Sequence, residues 1–266
     1  MAFLHLHDVW VEFPIYQGSR SLKKTFLATA MRKNLAQDAS YRISVQALRE
    51  LNLDIADGDR LAIIGANGAG KSTLLKVLAN IYEPTRGWLH ASGKATALLS
   101  LTGGLNPEAT GRENIILRGM FMGIHPRTMR AKVDEIADFS ELDAYLDMPV
   151  RTYSAGMTMR LSFAASTAIA PEILLMDEWM AVGDAGFLSA ARKRLARFIG
   201  DANILVLASH SIPLLKEWCN RAILLDQGRV VAAGKVGEVA DTYQALISSV
   251  RDKTGQSDTT SQAASA

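Results

Sequence analysis

The run Gly65-Ala66-Asn67-Gly68-Ala69-Gly70-Lys71-Ser72-Thr73 constrains this chain more than any other feature. It follows the apolar stretch Leu61 to Ile64 and precedes a helix-like stretch from Leu74 to Asn80, so it predicts a strand, a glycine loop and a helix in that order. Glycines let a backbone fold closely enough to point successive N–H groups at phosphate oxygens, and the first turn of the next helix adds its positive dipole end. The spacing meets every fixed position of the G-x-x-x-x-G-K-[ST] template for a nucleoside triphosphate site. Lys71 is expected to reach the terminal phosphates and the Ser72 hydroxyl to bind Mg²⁺, while Gly65, Asn67, Gly68, Gly70 and Thr73 complete the cradle.

A chain of 266 residues with 48% hydrophobic content can bury one large core, with or without a subdomain. Its net charge of +2 is far from the clustered basic excess of a nucleic-acid binder, so no nucleic acid partner is expected and any basic patch must be local. The N-terminus carries His5, His7, Asp8 and Glu12 around a short apolar run, without the pattern of a signal peptide. Pro171, Glu172 and Asp177 interrupt the longest apolar stretches, so nothing approaches the roughly 20 residues that span a bilayer, and a soluble cytosolic chain is expected. Cys219 stands alone, which rules out an internal disulfide. His5 and His7 share one strand face, but no further ligand type completes a metal site beside them.

Along the chain, Leu4 to Phe13 alternates as a strand, and Ile43 to Ile55 offers two short extended pieces ending at the turn Asp57-Gly58-Asp59. Between them, over about 17–40, lies a basic insertion. Leu22, Phe26, Leu27, Met31 and Leu35 fall at near-helical spacing there, with Arg20, Lys23, Lys24, Arg32 and Lys33 supplying charge. It reads either as a solvated helix or as an element facing anionic lipid or a phosphorylated substrate. Gly87 to Leu101 reads as short strands, and Glu108 to Leu146 as mostly helical with a break near Gly123 to Pro126. A helix from Gly156 to Ala170, the buried strand Ile173 to Met176, the helix Ala185 to Ile199, the strand Ile204 to Ala208 and the helix Pro213 to Cys219 follow. A hairpin from Ala222 to Ala233 turns at Gln227-Gly228. Strands alternating with helices predict a parallel α/β sheet. The stretch 248–266 is read as a disordered tail, since beyond Asp252 it holds no large apolar residue.

Asp177 and Glu178 end the strand Ile173 to Met176, where they can meet the glycine loop at the sheet edge. A carboxylate there suits Mg²⁺, which takes a few carboxylates, waters and phosphate oxygens, and Asp177 is the candidate. Glu178 is then placed to take a proton from an attacking water.

Tyr153-Ser154-Ala155-Gly156-Met157 opens a helix about twenty residues before Asp177, and Ser209-His210-Ser211 follows the strand Ile204 to Ala208. In this order and spacing the chain resembles the ATP-binding subunit of ABC transporters. The resemblance implies an α/β ABC-type P-loop ATPase core with a parallel sheet, an N-terminal antiparallel β subdomain and a helical subdomain at about 105–170, within one ATP-binding domain over 1–247. It also implies a homodimer in which Ser154 and Gly156 of one copy cover the ATP held by Lys71, Ser72 and Thr73 of the other. Asp184 matches the loop linking the two copies, and His210 matches a switch histidine that contacts the terminal phosphate and holds Glu178. Phe13, or alternatively Tyr16, matches the ring that stacks on adenine. The sequence departs from the family where a glutamine is usual, since Leu101 or Ser100 stands there, and neither replaces an amide at Mg²⁺. Tyr153, Ala155 and Met157 also stand where leucine, glycine and glutamine are usual.

The runs Phe13 to Tyr16, Thr110 to Ile115, Thr152 to Met157 and Ala181 to Phe187 look like ATPases that export lipid-linked polysaccharides such as O-antigen, capsule and teichoic acid. This implies a peripheral subunit on the cytoplasmic face of a bacterial inner membrane, a separate permease, and an undecaprenyl-diphosphate-linked glycan as cargo. The chain is shorter than members carrying a C-terminal carbohydrate-binding domain, so export without such a domain is expected. Exporters of drugs or lipids share the same ATP chemistry, and a non-transport ABC ATPase is the more distant alternative.

Overall fold

The computed structural model describes residues 1–15, 35–37, 43–100, 102–178 and 185–248. At its centre is a six-stranded sheet built on β4 (Arg60–Ile64), β6 (Ala95–Leu98), β7 (Ile173–Asp177), β8 (Ile204–Ala208), β9 (Arg221–Asp226) and β10 (Arg229–Gly234). The order is β10-β9-β4-β8-β7-β6, parallel throughout except for the terminal β9–β10 hairpin. The inner strands β4, β7, β8 and β9 are near-continuous apolar runs because both their faces are covered. Side chains alternate between two separate cores: Ala62, Leu174, Leu205 and Leu224 face one, while Ile63, Ile173, Val206 and Ile223 face the other.

The second of these cores is closed by an antiparallel sheet of order β2-β3-β1-β5, made by β1 (Phe3–Ile15), β2 (Leu35–Gln37), β3 (Ile43–Ala56) and β5 (Arg86–Ser92). Helix α1 (Lys71–Leu78) lies between the two sheets, burying Leu74, Leu75, Val77 and Leu78 among Leu4, Val9, Leu51 and Ile55. The two extended pieces expected between Ile43 and Ile55 are one strand. Register shifts against β1 and a positive φ of 49° at Glu50 mark a bulge, which moves the buried positions from Leu48 to Leu51 and so breaks the alternation that a sequence reader follows.

The other core lies under the helical region: α2 (Gly111–Phe121), α3 (Pro126–Arg130), α4 (Val133–Ser140), two 3₁₀ turns at Asp143–Asp147 and Val150–Thr152, and α5 (Ala155–Ser166). The expected break near Gly123 is the gap between α2 and α3, where Gly123 has φ 72°. Helix α5 ends at Ser166 rather than Ala170. The Thr167 hydroxyl donates to the Phe163 carbonyl at 2.8 Å and accepts from Arg194 Nε at 2.9 Å, and Pro171 disfavours helix in the residue before it. Helices α6 (Ala185–Gly200) and α7 (Ile212–Trp218) complete this layer with α8 over 236–248, which the sequence reading did not anticipate. Most of the basic insertion and the tail from 249 onward lie outside the described residues. No helix among the described residues is long and apolar enough to cross a membrane.

Candidate functional site

Because β4, β7 and β8 run parallel, the segments leaving their C-terminal ends meet on one sheet edge, the position at which open α/β sheets bind ligands. There the glycine loop, Asp177-Glu178 and His210 line a cleft of about 470 Å³. Asn67, Gly68, Gly70, Lys71, Ser72 and Thr73 form one wall, and Val45, Ala47 and Leu99 add apolar surface. Those last three were not read from the sequence. Val45 and Ala47 share one face of β3, the signal that the bulge obscured.

The loop is shaped by close backbone approaches. A Cβ at Gly65 would sit 2.3 Å from the Leu225 carbonyl oxygen, and one at Gly70, whose φ is 110°, would sit 2.7 Å from that of Ala47. The hairpin turn Gln227-Gly228 fixes the same region: Gly228 N–H donates to Ala69 O at 2.9 Å, Arg49 N–H to Gly228 O at 2.8 Å and Arg49 Nε to Gln227 O at 2.9 Å. Gly70 supplies no side-chain cap, so the first N–H groups of α1 keep their capacity to bind an anion.

Lys71 is buried, and its Nζ donates to the carbonyls of Gly65 at 2.8 Å and Ala66 at 3.1 Å. Burial lowers its pKa from the ordinary value, against the pull of Asp177 and Glu178, which favour the ammonium form. Ser72 Oγ donates to Asp177 Oδ2 at 2.5 Å, bringing two hard oxygen atoms together in the cleft. His210 Nε2 lies 3.7 Å from Glu178 Oε1, and both side chains remain accessible. Glu178 holds a φ of 66° while its N–H donates to the Ala208 carbonyl at 2.7 Å, so β8 fixes the backbone that carries this carboxylate.

Other expected residues stand apart. Ser154 caps α5, its Oγ accepting from Met157 N–H at 3.2 Å, and neither it nor Gly156 lines the cleft; both are exposed. Phe13 is half-exposed, stands edge-on to Tyr82 at 5.4 Å and does not line the cleft, although its partner across the strands, Val45, does. Tyr16, Leu101 and Asp184 lie outside the described residues. Ser100 is described, and its carbonyl accepts from Arg118. Of the histidine pair, His5 Nδ1 contacts Asp54 Oδ1 at 2.7 Å and His7 lies against Trp88. No group of three or more potential metal-binding side chains occurs among the described residues.

A glycine loop between a buried strand and a helix, facing an acidic pair on a neighbouring parallel strand, defines a P-loop nucleotide-binding domain. Residues 48–181 match the ABC transporter family model, and the chain belongs to that family, whose cassettes bind ATP. It is 38% identical over 231 residues to the O-antigen export system ATP-binding protein RfbE of Yersinia enterocolitica, covering 86% of this chain and 97% of that one. The O-antigen export system ATP-binding protein RfbB of Myxococcus xanthus is 42% identical over 86% of this chain, and the teichoic acids export ATP-binding protein TagH of Lactococcus lactis is 35% identical over 76%. The match spans only 52% and 43% of those two longer relatives. Among solved structures, a dimeric ATP-binding cassette in a post-hydrolysis state with ADP and Pi shares the fold at TM-score 0.61 and 21% identity, over 88% of this chain and 98% of that one.

Proposed function

We propose that this chain is the ATP-hydrolysing subunit of an exporter of lipid-linked polysaccharide. It works as a homodimer beneath a separate permease, on the cytoplasmic face of the inner membrane. The observation that carries the reading is the convergence of Lys71, the Ser72–Asp177 pair and the Glu178–His210 pair in one cleft. The names of the full-length relatives support the cargo class.

Lys71 exchanges its loop carbonyls for phosphate oxygens when ATP enters, joined by the free N–H groups at the start of α1. Ser72 Oγ and Asp177 Oδ2 fit Mg²⁺, which favours oxygen ligands and which, when bound, would neutralise phosphate charge. Glu178 accepts a proton from water as the water oxygen bonds to the terminal phosphorus and the bond to the bridging oxygen breaks, giving ADP and phosphate. His210 holds the Glu178 carboxylate from the other side. Phe13 stacks on adenine at the end of β1, next to Val45. Ser154, Gly156 and the N-terminus of α5 remain exposed for the ATP of a second copy, with Asp184 at the contact between copies. Closure on ATP and reopening after hydrolysis drive the permease, which moves an undecaprenyl-diphosphate-linked glycan outward.

Recovery of the tagged protein from native membranes in mild detergent, with mass spectrometry of partners and bound lipids, tests this. A polytopic permease in equal amount, with a polyprenyl glycan, is expected. Recovery with ribosomes or nucleic acid, and no permease, overturns the reading.

A further inference from the structure

Arg118 is fully buried on α2, and its acceptors among the described residues are all neutral. Its Nε donates to Ser166 Oγ at 2.8 Å, its Nη2 to the Ser100 carbonyl at 2.8 Å and its Nη1 to the Gly103 carbonyl. Burial pulls its pKa down to about 10, so it remains cationic at neutral pH. A buried charge satisfied only by neutral groups is a costly way to fill a core, and an apolar side chain of similar volume is often as stable or more so. What the guanidinium does that an apolar group cannot is bond in three directions within one plane.

Those bonds tie α2, which carries Arg118, to two other segments. Ser100 and Gly103 belong to the connection leaving β6, directly after Leu99, which lines the cleft. Gly104 packs so closely on Phe121 of α2 that a Cβ there would lie 2.6 Å from the ring, and the Arg118 guanidinium sits over the same ring at 5.4 Å. Ser166 ends α5, the helix whose other end presents Ser154, and its Oγ also donates to the Ser162 carbonyl at 2.6 Å.

We propose that Arg118 is a positioning residue that joins the cleft-side residues Ser100, Gly103 and Gly104 to α2 and α5, so that occupancy of the cleft is transmitted to the exposed Ser154 surface. This rests on the ATPase reading above. Transmission between two sites needs a physical connection between them, and the bonds of the Arg118 guanidinium supply one.

The test compares wild type with R118M, R118K and S166A in the full-length protein. Measurements are ATP affinity, steady-state KM and kcat, and hydrogen exchange with and without ATP. In wild type, ATP is expected to slow exchange in 99–104, in α2 and in the first turn of α5. In R118M the response of 99–104 persists while those of α2 and α5 are lost. Its kcat falls about tenfold, within the usual range of a coupling interaction, with affinity and KM changed less than about twofold. R118K, which keeps the charge but not the fork, recovers part of kcat; S166A leaves the fold intact and loses the α5 response alone. Retained α2 and α5 responses in R118M and S166A, or a kcat equal to wild type, would overturn the proposal. If R118M fails to fold, S166A and R118K decide it by the same criteria. Wild type that does not bind ATP would overturn the ATPase reading and this proposal together, whereas wild type that binds and turns over ATP without any α2 or α5 response sinks this proposal alone.

Discussion

One acid, Glu178, and two glycines separate chemistry from shape most clearly. Replacing Glu178 with Gln keeps the size and the fixed backbone at β8 but removes the base, so ATP turnover is expected to fall about 10²- to 10⁴-fold while ATP binding persists. Loss of binding along with turnover would make Glu178 a binding residue. Gly65 and Gly156 offer the complementary contrast. G65A drives a Cβ into the Leu225 carbonyl and should destabilise the fold by roughly 1–3 kcal/mol, as overpacking does. At Gly156 the nearest atom is Ser154 Oγ at 3.8 Å, so G156A should leave the stability of the single chain within about 0.5 kcal/mol while weakening ATP-driven dimerisation. Calorimetry together with light scattering in the presence of ATP checks both halves of that contrast.

Helix α2 begins with a complete capping box: Thr110 Oγ1 accepts from Glu113 N–H at 3.2 Å, and Glu113 accepts from Thr110 N–H at 2.8 Å. The bond from Thr110 N–H foremost, and after it the Thr110 hydroxyl donating to Glu113 Oε2 at 3.0 Å, hold the Glu113 carboxyl below its ordinary value. Because that value is lowered on folding, its stabilisation is complete above the unfolded carboxylate range and disappears as pH falls through the lowered value. T110A is expected to cost about 1 kcal/mol at neutral pH, and E113Q to flatten the acid limb of stability; urea melts from pH 3 to 7 measure both. The capping box stands in the sequence as Thr110-Gly-Arg-Glu113, just as the loop at Gly65 to Thr73 does, because local chemistry needs only neighbours. The bulge in β3, the early end of α5 and the apolar wall of Val45, Ala47 and Leu99 were not legible. Each depends on a partner far along the chain: β1 for the bulge, Arg194 on Thr167, beside the local Pro171, for the end of α5, and the assembled sheet edge for the wall.

Across the whole molecule, the parallel sheet was readable from alternating strands and helices, and the antiparallel sheet and helical region followed from the family resemblance. How the helical region attaches to the core was not readable, since Phe139, Phe163 and Phe187 come from three separate helices. They meet at centroid distances of 5.3–6.1 Å, with the Arg194 and Arg160 guanidinium groups over Phe139 and Phe187 at 4.3 and 4.8 Å. F163A should cost about 3–5 kcal/mol and lower the thermal midpoint of the whole chain in one transition. Two separated transitions in calorimetry would show instead that the helical region melts on its own.

The hairpin turn at Gln227-Gly228 has a consequence for the order in which the molecule acquires its activity. The glycine loop is complete in sequence by Thr73, yet its backbone is wedged against Leu225 and tied to Gly228. A growing polypeptide therefore carries its phosphate motif through some 150 further residues of synthesis before the shape that grips a nucleotide can exist. The nascent subunit is expected to stay silent towards the cell's ATP until nearly all of its domain has left the ribosome.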